Sequence, residues 1–100
     1  MVDVKLLYKE YKKQFPENDL ASSEMFFRRV VRDFHERKIS FNHFIYLCEE
    51  ILYSLEKTPS NLTSHLSSLL TEIMDLDWSL VKNPKKTGEF LEELFNKYCV

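Results

Sequence analysis

Along most of this chain, apolar residues recur at spacings of three and four, the period of an amphipathic helix. The pattern is clearest in Ile39 to Leu55, ISFNHFIYLCEEILYSL. Here Phe41, Phe44, Ile45, Cys48, Ile51, Leu52 and Leu55 form one stripe. Ser40 stands just ahead of it, placed to cap the first turn with its hydroxyl. The opposite side carries Tyr46, Glu49, Glu50 and Tyr53 at i, i+3, i+4 and i+7, so two tyrosines and two glutamates share an outer face.

Similar periodicity predicts four further helices. Val4, Leu7, Tyr8, Tyr11 and Phe15 define a first helix from Asp3 to Phe15, ended by Pro16. A second runs to about Arg37, capped by Asn18 or Asp19, with Phe26, Phe27, Val30, Val31 and Phe34 facing the core. Its other side holds Arg28, Arg32 and His35, for which a solvated face, pairing with an acidic neighbour and nucleic-acid contact compete in that order. The central helix should end near Lys57, before Thr58-Pro59. A fourth helix starts at Ser60 or Asn61. It carries Leu62, Leu66, Leu69, Leu70, Ile73, Leu76 and Leu80, and is expected to be the longest. Asp77 lies at the edge of that stripe and Trp78 well off it, so either the helix breaks there or both residues are surface groups. The segment KNPKKTG, 82–88, reads as a polar loop. Thr87 would cap a last helix bearing Phe90, Leu91, Leu94, Phe95 and Tyr98, with Glu89, Glu92 and Glu93 in its first turns.

Five amphipathic helices with short joins predict an all-α fold, a compact antiparallel bundle of four to five helices in a single domain spanning residues 1–100. Composition agrees. One glycine and three prolines are too few for the tight turns of an all-β fold. No stretch has the apolar length that spans a bilayer, so no membrane partner is expected. The N-terminus MVDVKLLYKEYKK shows no secretory signal. The expected compartment is therefore cytoplasmic, with Cys48 and Cys99 reduced, and Asn61-Leu62-Thr63 reads as a helix start instead of a glycan site.

The net charge of −2 is unevenly spread. Residues 1–38 hold nine Lys/Arg against seven Asp/Glu, whereas residues 39–81 hold one Lys against six acids. An acidic middle attracts a basic partner and repels nucleic acid.

Catalytic chemistry is hard to assemble from these residues. His35, His43 and His65 fall on three different predicted helices, none at metal-ligand spacing with a Cys or acid. His43 and Cys48 project in different directions, so they do not form a nucleophile–base pair. With one glycine there is no phosphate-cradling loop. Asp75-x-Asp77 lacks the other ligands and the glycine of a calcium loop. The expectation is a non-enzyme with no cofactor, no metal and no small-molecule substrate.

The run Phe34 through Phe44, FHERKISFNHF, resembles the helix, Lys-Ile-Ser/Thr, three residues, Phe signature of immunity proteins of the colicin D type. Ile39, Ser40 and Phe44 are the matching positions, with Glu49 and Glu50 on the helix that follows. Leu66 to Pro84, LSSLLTEIMDLDWSLVKNP, is similar to the family's long helix, which runs into an acidic, aromatic segment and a proline; Leu69, Ile73, Asp75 and Asp77 carry that part. The likeness covers roughly residues 26 to 98 and leaves the first helix without a counterpart. It implies a cytoplasmic helical bundle that neutralises a cognate nuclease toxin, a tRNase or RNase domain of a bacteriocin or contact-dependent growth inhibition system. An acidic surface would fill the toxin's basic cleft. The residues expected to bind that partner are Tyr46, Glu49, Glu50, Tyr53, Glu72, Asp75, Asp77 and Trp78. The alternative is a helical adaptor or regulatory module that works through Arg28, Arg32 and His35. A self-associating chain, with the tyrosine face as its own interface, is a third reading.

Overall fold

A computed structural model describes residues 3–17, 19–57, 65–76 and 82–98. Five α-helices are found among them: α1 (Val4–Gln14), α2 (Leu20–His35), α3 (Phe41–Glu56), α4 (His65–Met74) and α5 (Pro84–Tyr98). There is no strand among the described residues. This is the expected all-α bundle, and its radius of gyration of 13.1 Å is that of a compact chain of this length.

The three N-terminal helices start where side chains can cap them. Asp3 accepts from the Lys5 amide, Asp19 from the Ser22 amide and Ser40 from the His43 amide. Each relieves one orphan donor of a first turn. The join between α2 and α3 is tighter than its lack of glycine suggests. Arg37 takes φ 63°, the Arg37 amide donates to the Phe34 carbonyl, and the Lys38 amide donates to the Asp33 carbonyl. That is the Schellman arrangement, with an arginine where glycine is usual.

The core centres on α3, which packs on α1, α2 and α4, while α5 lies against α2. Phe27, Val30 and Val31 of α2, Phe44, Leu47, Cys48 and Leu55 of α3, and Leu70 and Ile73 of α4 are fully enclosed. Rings dock the outer helices. Phe26 stacks with Tyr8 and Tyr11 of α1 and with Phe15 just after it, at centroid distances of 6.0, 5.4 and 5.8 Å. Phe34 lies flat on Phe44 at 4.5 Å and meets Phe95 of α5 at 5.7 Å, and Phe27 meets Tyr98 edge-on at 5.3 Å.

Four expectations are corrected. The buried side of α3 runs through Phe44, Leu47, Cys48, Ile51, Ser54 and Leu55, so it is turned toward Leu47 and Ser54. Phe41, Ile45 and Leu52 are only partly covered. The reason is the number of neighbours: a helix with three partners buries a wider arc than its apolar residues alone mark out. Second, α4 ends at Met74, and Asp75 sits in a turn whose amide donates to the Glu72 carbonyl. The expected run through Leu76 is therefore interrupted at Asp75. The expected start at Ser60 or Asn61, Leu62, the break at Asp77 and Trp78, and Cys99 lie outside the described residues.

Third, the segment taken for a loop is helical from Pro84. Proline suits a first helical position, where its missing amide hydrogen would be unsatisfied anyway. Asn83 is the residue in front, its Oδ1 accepting from the Lys86 amide at 3.3 Å. Thr87 is therefore not a cap: it is buried inside the helix, and its hydroxyl donates to the Asn83 carbonyl at 3.3 Å. The fourth correction follows from this shift: Lys85 and Lys86 occupy the first turn, and Glu89, Glu92 and Glu93 come after it.

A candidate protein-binding face on the first and third helices

Tyr46, Glu49, Glu50 and Tyr53 do lie on the side of α3 away from the core, but they are unequally open. Tyr53 is 54% exposed, whereas Tyr46, Glu49 and Glu50 are partly covered. The Tyr53 hydroxyl donates to Glu49 Oε1 at 3.2 Å, one helical turn back. Tyr46 stands in the same i, i+4 register to Glu50, whose charge acts on its phenol. Tyr53 thus holds the Glu49 carboxylate in place, restricting rotamers that a free glutamate would sample.

The cover comes from α1. Tyr8 lies within electrostatic reach of both Glu50 and Tyr46, and Asp3 at the foot of α1 acts on Tyr46. Every phenol on this surface is harder to ionise than usual. Burial and then Glu50 raise Tyr8; burial and then the Glu50 charge raise Tyr46; the hydrogen bond to Glu49 and that carboxylate's charge raise Tyr53. A second negative charge among these acids is disfavoured, which marks the surface as locally anionic. Its described members are Asp3 and Tyr8 of α1 and Tyr46, Glu49, Glu50, Tyr53 and Glu56 of α3. Asp3, Tyr8 and Glu56 were absent from the set expected from sequence. Tyr8 satisfies the apolar spacing of α1, which assigns it to the core, and periodicity says nothing about which helix it will meet.

Glu72 and Asp75 lie elsewhere. They line a hollow of about 470 Å³ with Lys82, Asn83, Lys86 and Phe90, between the end of α4 and the start of α5. Two carboxylates and two lysines thus share the walls of that hollow. Asp77 and Trp78 fall outside the described residues.

The basic stripe of α2 is exposed but not bare. Arg28 pairs with Glu24 on its own helix at 3.2 Å, and the His35 ring packs on Phe95 at 4.6 Å. Among the described residues no group of three or more His, Cys, Asp or Glu is placed to hold a metal ion. No helix among them is long and apolar enough to cross a membrane. Comparison with known proteins gives no match, whether with family models, curated proteins or solved structures.

Proposed function

We propose that this chain is a binding protein, an immunity protein that neutralises a basic nuclease toxin domain through the acidic–aromatic face of α1 and α3. The observation that carries this reading is the hydrogen bond from Tyr53 to Glu49 on α3, with Tyr46 and Glu50 in the same register beside it. Carboxylates beside flat, partly exposed rings suit a cleft built to grip phosphates between lysines and arginines. Charges present them to the partner's cations, and rings fill the space that bases would occupy. Such complementarity speeds encounter and disfavours wrong partners, and desolvated aromatic anchors supply much of the affinity. The resemblance of Phe34 to Phe44 to the colicin D-type immunity proteins supports the same reading. An adaptor working through the basic side of α2 is the competing assignment.

Growth protection decides between them. Cells making a nuclease domain encoded beside this chain should survive when the wild-type protein is present. Glu49→Lys/Glu50→Lys should abolish protection while leaving helix content unchanged, and binding should weaken as salt rises. Full protection by the double variant would remove this face from consideration. If no neighbouring nuclease exists, or none binds, the adaptor reading takes its place.

A further inference from the structure

The side of the molecule formed by α2 and α5 has a different character. Phe15, Met25, Arg28, Arg29, Arg32 and Tyr98 line a hollow of about 350 Å³. Its three guanidinium groups lie at i, i+1 and i+4 on one helix. Tyr98 closes the far wall, with Arg28 over its ring at 5.3 Å. On the other side of Tyr98 is a second, smaller hollow of about 150 Å³, whose walls include Leu20, Glu24 and Leu66. The two share Tyr98 as a wall and follow each other along α2, from Leu20 and Glu24 to Arg32, as an interrupted track. Four large apolar side chains are exposed among the described residues: Leu6, Leu20, Met25 and Tyr53. Two of them, Leu20 and Met25, flank this track. Apolar anchors beside arginines make a combination that neither packing nor solubility requires.

We propose that this track docks an acidic amphipathic segment of a partner protein, carboxylates on the arginines and apolar side chains against Met25 and Tyr98. Charge complementarity selects that occupant. Two of the arginines already face a carboxylate of this chain: Arg28 pairs with Glu24 at 3.2 Å and Arg29 approaches Asp33 at 3.6 Å, whereas Glu36 near Arg32 is taken by Lys38 at 3.1 Å. The positive potential is thereby moderated. It suits single, spaced carboxylates better than the continuous charge of a nucleic-acid backbone. Arginine offers a planar fork to a carboxylate, and an exposed methionine adapts to whatever apolar group arrives. The surface is separate from the α1–α3 face and independent of the function assigned to it.

The test uses the full chain and a fluorescein-labelled, Glu-rich peptide with Phe and Leu one helical turn apart, beside its Lys-for-Glu counterpart. Anisotropy should show binding of the acidic peptide alone, weakening as salt is added. Arg32→Glu should weaken it by at least about ten-fold, as expected for loss of a charge-assisted contact plus repulsion. Arg32→Gln and Met25→Glu should each weaken it less, and Glu49→Lys should not. Circular dichroism checks that the variants fold, which their exposed positions favour. No binding, equal binding of the Lys-for-Glu peptide, or equal binding by Arg32→Glu overturns the proposal. Tighter binding of a single-stranded RNA than of the acidic peptide, lost in Arg32→Glu, overturns it in favour of phosphate recognition. Sedimentation showing self-association that Arg32→Glu abolishes overturns it in favour of a second copy of this chain.

Discussion

The Tyr11 hydroxyl of α1 donates a hydrogen bond to Asp33 Oδ2 of α2, a buried contact between residues 22 apart in sequence. Arg29 Nε stands 3.6 Å from the same oxygen, and among the described residues the other oxygen, Oδ1, is buried without a hydrogen-bond partner. A carboxylate enclosed in this way depends on the few donors it has. Tyr11→Phe should therefore destabilise the fold by about 1–3 kcal/mol, the cost of leaving a buried acceptor unsatisfied. Tyr11→Phe/Asp33→Leu should recover part of that loss, because neither polar partner is then buried alone. Urea unfolding of the three proteins checks this; additive losses would show that the contact contributes little.

Alkaline titration offers a second check. All five tyrosines have phenols pushed above their ordinary value of about 10. Burial leads the causes for Tyr11, followed by the hydrogen bond to Asp33. The folded chain thus keeps these protons to higher pH than the unfolded chain does. Their stabilising effect is complete below about pH 10 and is lost as pH rises toward the folded-state values. Phenolate absorbance should lag behind that of a model tyrosine and then rise together with loss of helical signal. Appearance of phenolate below pH 10 in the folded protein would contradict the arrangement.

Leu47 provides a sharper comparison on α3. It is fully enclosed, whereas Ile45 is only partly covered. Leu47→Ala should cost about 2–5 kcal/mol, the range for a core truncation that leaves a cavity. Ile45→Ala should cost clearly less. Denaturant midpoints of the two variants measure the difference, and the reverse order would mean that α3 is rotated the other way.

Arg37 holds a left-handed backbone at the end of α2. That conformation costs an ordinary L-residue on the order of 1 kcal/mol and glycine almost nothing. Arg37→Gly should raise the thermal midpoint slightly, and Arg37→Val should lower it. If both variants lower it, the arginine side chain contributes more than the backbone strain removes.

Much of the bundle was legible from spacing alone. The cap at Ser40, a cap at Asn18 or Asp19 (Asp19 in the structure), the end of α1 before Pro16 and the core face of α2 all follow from local signals: a capping oxygen, a proline, a repeat of three and four. The failures share a cause. Pro84 starts a helix because Asn83 stands ahead of it, but Pro-Lys-Lys also matches a loop in composition. Leu47 and Ser54 are buried because α1, α2 and α4 all crowd α3, and no single helix records how many neighbours it will have. Asp33 is equally hidden from sequence, since it sits beside Arg32 and looks like one more surface charge until Tyr11 arrives from another helix. On the candidate face the same limit appears. The four α3 residues follow from their register, while Tyr8 and Asp3 enter only through the docking of α1.

That docking has a kinetic side. The acidic–aromatic surface is a seam between two helices, and stacking on Phe26 and the Tyr11–Asp33 contact help to seat α1. Whenever α1 lifts away, half of the seam ceases to exist. The affinity a partner experiences is then its intrinsic affinity scaled by the fraction of time α1 is seated. A partner that grips both helices would in turn slow hydrogen exchange in α1 far from any residue it touches, making the first helix a reporter of occupancy.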